Sequence, residues 1–227
     1  MMTVRDICYA VRWCYDEEPA NEALINGADG DDINLMNNII KAKLGDALRW
    51  LCLYAPPEQL SGAGEQGTIS IIQDQVGTVP ANGQIQLGYN FIRLLRVRCT
   101  AWHRAVKGDS LISEDSDRYL QLYDPYGATA TDDRPQAAII ETAQKMVEVW
   151  PHHQGDDYQL TKLVMPQPDD LAALTPDSTV PIPPLLQTSF VYYIAFLTLS
   201  AYGDARAQVM LDIAKQNLGL SDDKQRA

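Results

Sequence analysis

The chain contains 227 residues and carries a formal charge of −12, because 30 Asp and Glu outnumber 18 Lys and Arg. This length suits one domain, or one domain with a sizeable insert, and an apolar content of 46% is enough to fill a core. An acidic surface repels nucleic acid unless its basic residues gather on one face. The composition therefore argues against a general nucleic-acid-binding protein.

The cysteines point to a reducing environment. Cys8, Cys14, Cys52 and Cys99 contain no CxxC spacing, and the first three fall among apolar residues of predicted helices. This placement favours buried free thiols over disulfides. Residues 1–3 lead directly into an Arg- and Asp-bearing helix, without the apolar region of a secretion signal. We therefore expect a protein that is made and kept in a reducing cytoplasm.

The first 60 residues predict two helices. Apolar residues recur at helical spacing across residues 4–15, after Thr3, whose side chain suits an N-cap. A predicted loop at residues 26–32 follows. A longer apolar stripe at residues 33–51 then predicts a second helix, which ends before Pro56.

The middle of the chain has the period of β-strands. Strands are predicted at residues 68–72, 84–87, 95–105, 137–142, 145–150 and 158–165, with a turn at 80–83 and a short helix at 114–123. Within residues 95–105 the alternation places Leu95, Val97, Cys99, Ala101 and His103 on one face, and Arg96, Arg98, Thr100, Trp102 and Arg104 on the other.

The C-terminal part returns to helical patterns. Residues 166–181 are rich in proline and acidic side chains and predict a surface connector. Residues 190–202 are almost wholly apolar and predict a central core helix, buried on all sides, in which Tyr192, Tyr193 and Phe196 build the core. This run of about thirteen residues is shorter than the roughly twenty that span a bilayer. A second helix is predicted between Gly203 and Gly219.

Helical spacing of apolar residues occurs at both ends of the chain and strand-like alternation occurs in the middle, which predicts an α+β protein. Helices at both ends of the chain are expected to form one helical bundle, with a β-rich domain inserted between them. The predicted parts are a bundle from residues 1–60 and 182–220, a β-rich insert at 61–165, a Pro-rich connector at 166–181 and a C-terminal tail at 221–227.

Side chains able to support catalysis occur in patterns that favour structural roles. The carboxylate clusters are Asp29, Asp31 and Asp32; Glu114, Asp115 and Asp117; Asp132 and Asp133; and Asp156 and Asp157. Each cluster falls at a predicted loop or helix start, where Asp forms turns and caps. The adjacent His152 and His153 lack metal-ligand spacing. No nucleophile elbow, phosphate loop or dinucleotide fingerprint is present, so we expect neither an enzyme nor a cofactor or metal site.

A basic ribbon is the most specific local feature. Five of the 18 basic residues fall close together: Arg93, Arg96, Arg98, Arg104 and Lys107. Three interpretations stay open, namely a solvated outer sheet face partly covered by Trp102, pairing with acidic residues of a neighbouring copy, and contact with nucleic acid. We take Arg96, Arg98, Trp102 and Arg104 as candidate subunit-interface residues.

The C-terminal pattern resembles a known family. Ile182-Pro183, then residues 191–195 (VYYIA) and residues 201–207 (AYGDARA), together with the strand patterns at 145–151 and 158–166, resemble head–tail connector proteins of tailed bacteriophages, also called adaptor, gatekeeper or ring proteins. The resemblance covers mainly residues 137–220. Residues 91–116 are similar to proteins of crAss-like phages.

The resemblance implies a structural virion protein of the phage neck that is assembled in the host cytoplasm. It implies a ring, expected to be dodecameric, between the portal protein and the tail, with DNA passing through its channel without sequence-specific binding. No catalysis, cofactor or membrane contact is expected, and acidic loops would line the channel. The rival interpretations are a tail-tube or stopper ring protein of the same virion, or a ligand- or glycan-binding β module on a helical stalk, with Trp102, Trp150 and Tyr158 as its platform.

Overall fold

A computed structural model describes residues 1–15, 30–60, 68–124, 130–141 and 145–220. The protein is α+β. The helices are α1 Val4–Trp13, α2 Gly30–Tyr54, α3 Pro57–Leu60, α4 Asp117–Tyr123, α5 Pro168–Ala172, α6 Gln187–Ala201 and α7 Ala207–Leu218. The strands are β1 Met2–Thr3, β2 Ile72–Thr78, β3 Gln84–Gln86, β4 Phe91–Cys99, β5 Val106–Lys107, β6 Ile112–Ser113, β7 Gln136–Ile140, β8 Met146–Trp150, β9 Asp157–Val164 and β10 Thr179–Val180. The predicted tail at 221–227 and the loop residues 26–29 lie outside the described ranges.

The chain forms two compact units. One comprises Met1–Ile71 together with Pro166–Ala227, and the other comprises Ile72–Met165. In the first unit α6 packs against α1, α2 and α7. Ile7 of α1, Leu48 of α2 and Phe190 of α6 are fully buried there.

Local signals define the ends of the outer helices. Thr3 and Asp6 form a capping box at the start of α1, in which Thr3 Oγ1 accepts from the Asp6 amide at 3.0 Å and Asp6 Oδ2 accepts from the Thr3 amide at 3.2 Å. At the other end of the chain, α7 ends at Gly219, which adopts the left-handed conformation with φ of 75°. The predicted N-cap and the predicted stop are confirmed.

Helix α6 is less enclosed than its composition predicted. Phe190 and Ile194 are fully buried, whereas Tyr192, Tyr193 and Phe196 are only partly buried. Tyr193 stacks on Trp50 of α2, with ring centroids 4.1 Å apart and planes at 7°. The prediction of burial on all sides is wrong, because an apolar face of this helix is covered only in part by its neighbours.

The apolar stretch around α6 is longer than the sequence suggested. Among the described residues, Pro184–Ala201 is long and apolar enough to cross a membrane by length and composition, with 18 residues and a mean hydropathy of 1.2. The helical segment begins before Phe190, at which the predicted helix began. The apolar helical stretch is therefore longer than the roughly thirteen residues predicted from the sequence. Core helices of soluble proteins pass the same test, and 44% of this stretch is buried within the protein.

The connector at residues 166–181 is part of the fold and not only a surface segment. It contains α5, and its strand β10 pairs with β1 in an antiparallel two-stranded sheet. Val180 is fully buried, and Lys41 Nζ donates a hydrogen bond to the Leu174 carbonyl at 2.7 Å. The predicted surface character is therefore wrong for the second half of this segment.

The second unit contains two four-stranded sheets. The first has the strand order β2-β9-β4-β5 and is antiparallel throughout. The second has the order β3-β8-β7-β6, in which β6 and β7 are parallel. The strand predicted at residues 68–72 is wrong, since β2 begins only at Ile72. Thr68 belongs to the first unit, where it exchanges hydrogen bonds with Thr179.

The fold predicts that two nearby apolar residues, Phe190 and Leu185, contribute very differently to the stability of the protein. Phe190→Ala should lower the free energy of unfolding by about 3–5 kcal/mol, because it removes a fully buried ring and leaves a cavity. Leu185→Ala is the matched control, since Leu185 is 76% exposed and should change stability by less than about 0.5 kcal/mol. Urea unfolding followed by circular dichroism measures both, and equal losses would contradict the assigned core.

Candidate functional site

The two sheets of the second unit share one core, which decides which side chains face outward. Its buried members are Val79, Ile85, Leu87, Phe91, Leu94, Val97, Cys99, Trp102, Val106, Ala137, Val147, Val149 and Leu160. Val97 and Cys99 of β4 and Val147 and Val149 of β8 point inward, and successive side chains of a strand alternate between faces. Arg98 therefore faces outward from the first sheet and Glu148 faces outward from the second.

The outer face of the first sheet carries part of the basic ribbon. Arg96 and Arg98 are exposed, and their register partners across β4 and β9 are Thr161 and Gln159. Lys107 of β5 lies opposite Arg96 on the other side. Cross-strand partners share one face of a sheet, so these basic side chains form a continuous row that we call the basic face.

Few nearby carboxylates compensate the positive charge of the basic face. Among the described residues, neither Arg96 nor Arg98 lies within 4 Å of a carboxylate oxygen. Asp74 of β2 is held by Thr161, whose Oγ1 donates to Asp74 Oδ1 at 2.7 Å. At one end of this face lies an open hollow of about 550 Å³, lined by Arg98, Asp157 and neighbouring residues. The positive charge of Arg96 and Arg98 is thus available to another molecule.

The other two candidate interface residues lie elsewhere. Strand β4 ends at Cys99, and Trp102 follows in a turn, where it is 2% exposed and donates its indole N–H to the Pro151 carbonyl at 2.9 Å. The prediction that Trp102 covers the outer face is therefore wrong. Arg104 is exposed beyond the end of the strand. A register shift between Leu94 and Arg96 also lets Leu94 point into the core, which simple alternation did not predict.

The proposed glycan platform is not formed. Trp102 belongs to the core, whereas Trp150 lies on the outer face of the second sheet. Tyr158 is partly buried against the core, and its hydroxyl accepts a hydrogen bond from Gln75 Nε2 at 3.1 Å. These three side chains therefore do not share one surface.

The histidines near the turns pair with carboxylates. His103 Nδ1 lies 2.6 Å from Asp133 Oδ1, and His153 Nε2 lies 3.1 Å from Asp132 Oδ1. The hydrogen bond to Asp133 and its negative charge raise the pKa of His103 above its ordinary value. No group of three or more His, Cys, Asp or Glu side chains suited to a metal ion occurs in the described part of the chain.

Glu114 and Asp117, which belong to one of the carboxylate clusters, stabilise local structure. Glu114 Oε1 accepts a hydrogen bond from the Glu141 amide at 3.2 Å. Asp117 lies in the first turn of α4, where its negative charge is favourable, and Ser116 caps that helix.

The cysteines are free thiols, as predicted. Burial raises the pKa of Cys8 and Cys14 to about 11, and that of Cys52 and Cys99 to about 12. All four side chains are therefore protonated at neutral pH and are poor nucleophiles.

The outer face of the second sheet contains a cluster that sequence reasoning missed. Glu148 of β8 is only 4% exposed. Its Oε1 accepts a hydrogen bond from the Tyr123 hydroxyl at 2.6 Å, and its Oε2 accepts one from the Tyr119 hydroxyl at 2.9 Å. The two tyrosines lie four residues apart on α4, so one face of this short helix presents both hydroxyls to the carboxylate.

Trp150 completes this aromatic–glutamate cluster, which we define as Tyr119, Tyr123, Trp150 and Glu148. The ring centroids of Tyr119 and Tyr123 are 5.3 Å apart, and each lies 5.8 Å from the ring of Trp150. The interplanar angles are 71°, 77° and 88°, so the three rings are nearly perpendicular to one another.

The cluster concentrates negative potential beneath partly exposed rings. Burial of the hydroxyl end and the hydrogen bond to Glu148 raise the pKa of Tyr123, and burial also raises the pKa of Tyr119, so both phenols stay protonated. Tyr123 is 55% exposed. Beside Trp150 in the sheet register, Gln136 has a buried Oε1 that has no hydrogen-bond partner among the described residues.

No protein-family model matches this chain, and no curated protein matches it either. The residues and their geometry are therefore the basis for the functional argument.

The ion pair between His103 and Asp133 leads to a prediction about the pKa of His103. The pKa of His103 should lie above 6.5, and Asp133→Asn should lower it, whereas Asp109→Asn should leave it unchanged. The pair contributes to stability below the ordinary pKa of histidine, and this contribution is lost as the pH rises through the raised pKa. Histidine proton chemical shifts across pH 4 to 9 measure the titration. A His103 midpoint that is insensitive to Asp133→Asn would contradict the pairing.

The aromatic–glutamate cluster predicts a coupled loss of stability. Tyr123→Phe should lower the free energy of unfolding by about 1–2 kcal/mol, because Glu148 then loses a donor while it stays buried. In a Glu148→Gln background the same change should cost less, since the acceptor carries no charge. A double-mutant cycle from urea unfolding measures this coupling, with Tyr89→Phe at a 90% exposed position as control. Equal costs in both backgrounds would show that the hydrogen bond is not coupled to the carboxylate.

Proposed function

We propose that this protein is a structural virion protein of a tailed bacteriophage. It forms a ring in the neck, or head–tail connector, between the portal protein and the tail, and it lines the channel through which DNA leaves the capsid. The ring is expected to contain twelve copies, to be assembled in the host cytoplasm and to require no cofactor.

The observation that carries this proposal is the basic face. Arg96 and Arg98 project from a rigid sheet in a chain of net charge −12, and among the described residues they have no carboxylate within 4 Å. A surface whose charge is opposite to that of the rest of the molecule suits contact with another copy. Contacts between two different surfaces of identical subunits generate closed rings when the rotation between copies closes.

The two-unit plan adds support. Helices from both ends of the chain belong to one unit, and a β unit lies between them in sequence. Connector proteins use this plan, and the residues on which the resemblance rests, 137–220, contribute strands to one unit and helices to the other.

The overall charge suits passage of DNA. A channel lined by acidic side chains repels phosphates, so that DNA passes without being retained. The proposed role therefore involves DNA as a passing cargo, not as a sequence-specific ligand.

Charge reversal on the basic face tests the proposal. Arg96→Glu with Arg98→Glu should leave the monomer folded, because both positions are exposed, but should abolish rings at concentrations where the wild type assembles. Arg49→Glu with Arg134→Glu is the matched control, since it makes the same charge change at two exposed positions outside the basic face. Analytical ultracentrifugation, with and without the portal protein of the same phage, measures assembly. Unchanged assembly of the first variant would refute a role for this face.

A further inference from the structure

The second unit carries complementary features on opposite sides. The side chains of Arg96 and Arg98 alternate with the inward-facing Val97 and Cys99 and so project from the outer face of the first sheet. Glu148 lies between the inward-facing Val147 and Val149 and so projects from the outer face of the second sheet. The two sheets pack through their inner faces, so the basic face and the aromatic–glutamate cluster point away from each other.

The carboxylate in the cluster lacks a positively charged partner. In the described part of the chain, no Lys, Arg or His nitrogen lies within 4 Å of Glu148, whose carboxylate accepts hydrogen bonds from the neutral hydroxyls of Tyr119 and Tyr123. A buried carboxylate is costly unless opposite charge or several hydrogen bonds compensate it. The cluster is thus suited to receive a cation from another molecule.

The exposed rings and the buried carboxylate of the cluster favour a particular kind of cation. Both carboxylate oxygens already accept hydrogen bonds, and Glu148 is only 4% exposed, so an incoming group meets the rings before it meets the carboxylate. Ring faces attract cations, and a carboxylate hydrogen-bonded to the phenols increases this attraction. A planar guanidinium stacks on aromatic faces more readily than an ammonium does, which favours arginine as the occupant.

We infer that the cluster of one copy binds Arg96 or Arg98 of a second copy of this chain. This inference rests on the proposed ring and names its contact. The guanidinium stacks against the exposed part of Tyr123 and the neighbouring Trp150, with Glu148 beneath the rings. Because donor and acceptor lie on opposite sides of one unit, each copy uses both surfaces, and the contact is head-to-tail.

Two variants that each retain one surface test this contact. Arg96→Glu with Arg98→Glu removes the basic face and keeps the cluster. Tyr123→Ala with Glu148→Gln removes the cluster and keeps the basic face. Tyr89→Ala with Glu141→Gln is the matched control for the second variant, because it makes the same substitutions at exposed positions. Circular dichroism and thermal melting of each variant establish that it is folded.

Each variant alone should be monomeric, with self-association weakened roughly tenfold or more, as expected for loss of an aromatic–arginine contact. An equimolar mixture should form a dimer and nothing larger, because one intact donor surface and one intact acceptor surface remain. The control should form rings like the wild type. Sedimentation velocity of the separate and mixed proteins distinguishes these species.

Three results would overturn the inference. If the Tyr123→Ala/Glu148→Gln variant formed rings like the wild type, the contact would be wrong and the proposed ring would stand. If the mixture stayed monomeric while the wild type assembled, the two surfaces would not bind each other. A wild type that stays monomeric, alone and with the portal protein, would contradict both the contact and the proposed function. If a cluster variant failed to fold, Tyr123→Ala alone would take its place, since Tyr123 is 55% exposed.

Discussion

The two sheets of the second unit pack through a single apolar core, and this packing determines which side chains face outward. Burial of Val97 and Cys99 on one sheet, and of Val147 and Val149 on the other, fixes the face on which every alternate side chain lies. Arg98 and Glu148 cannot turn inward without a slip in register that would expose apolar side chains. Opposite charges are therefore held on opposite sides of one compact unit, an arrangement that suits repeated contacts between identical copies.

Local features of the fold were predictable where the signal resides in a few neighbouring residues. The cap at Thr3, the helix end at Gly219 and the exposure of Arg96 and Arg98 all follow from short-range rules of capping and alternation. The α+β class followed because helical and strand periods occupy separate parts of the chain. Free thiols followed from the positions of the cysteines among apolar residues.

Features that depend on distant contacts were not predictable. Trp102 was assigned to an outer face because strand alternation was extended past Cys99, where the chain turns. The aromatic–glutamate cluster was missed because Glu148 reads as an ordinary outward residue of a strand, and only the packing of α4 against β8 brings Tyr119 and Tyr123 to it. A signal was present, since two tyrosines four residues apart on a short helix require hydrogen-bond acceptors when their hydroxyls become buried. Their partner is defined only by tertiary structure.

We propose that this chain forms a ring with a central channel. Electron microscopy of the purified wild-type protein, alone and mixed with a candidate portal protein, tests this proposal, with particle mass determined in parallel by light scattering. We expect rings with an open centre, or a ring stacked on the portal protein. A particle with the mass of one chain under both conditions would contradict it.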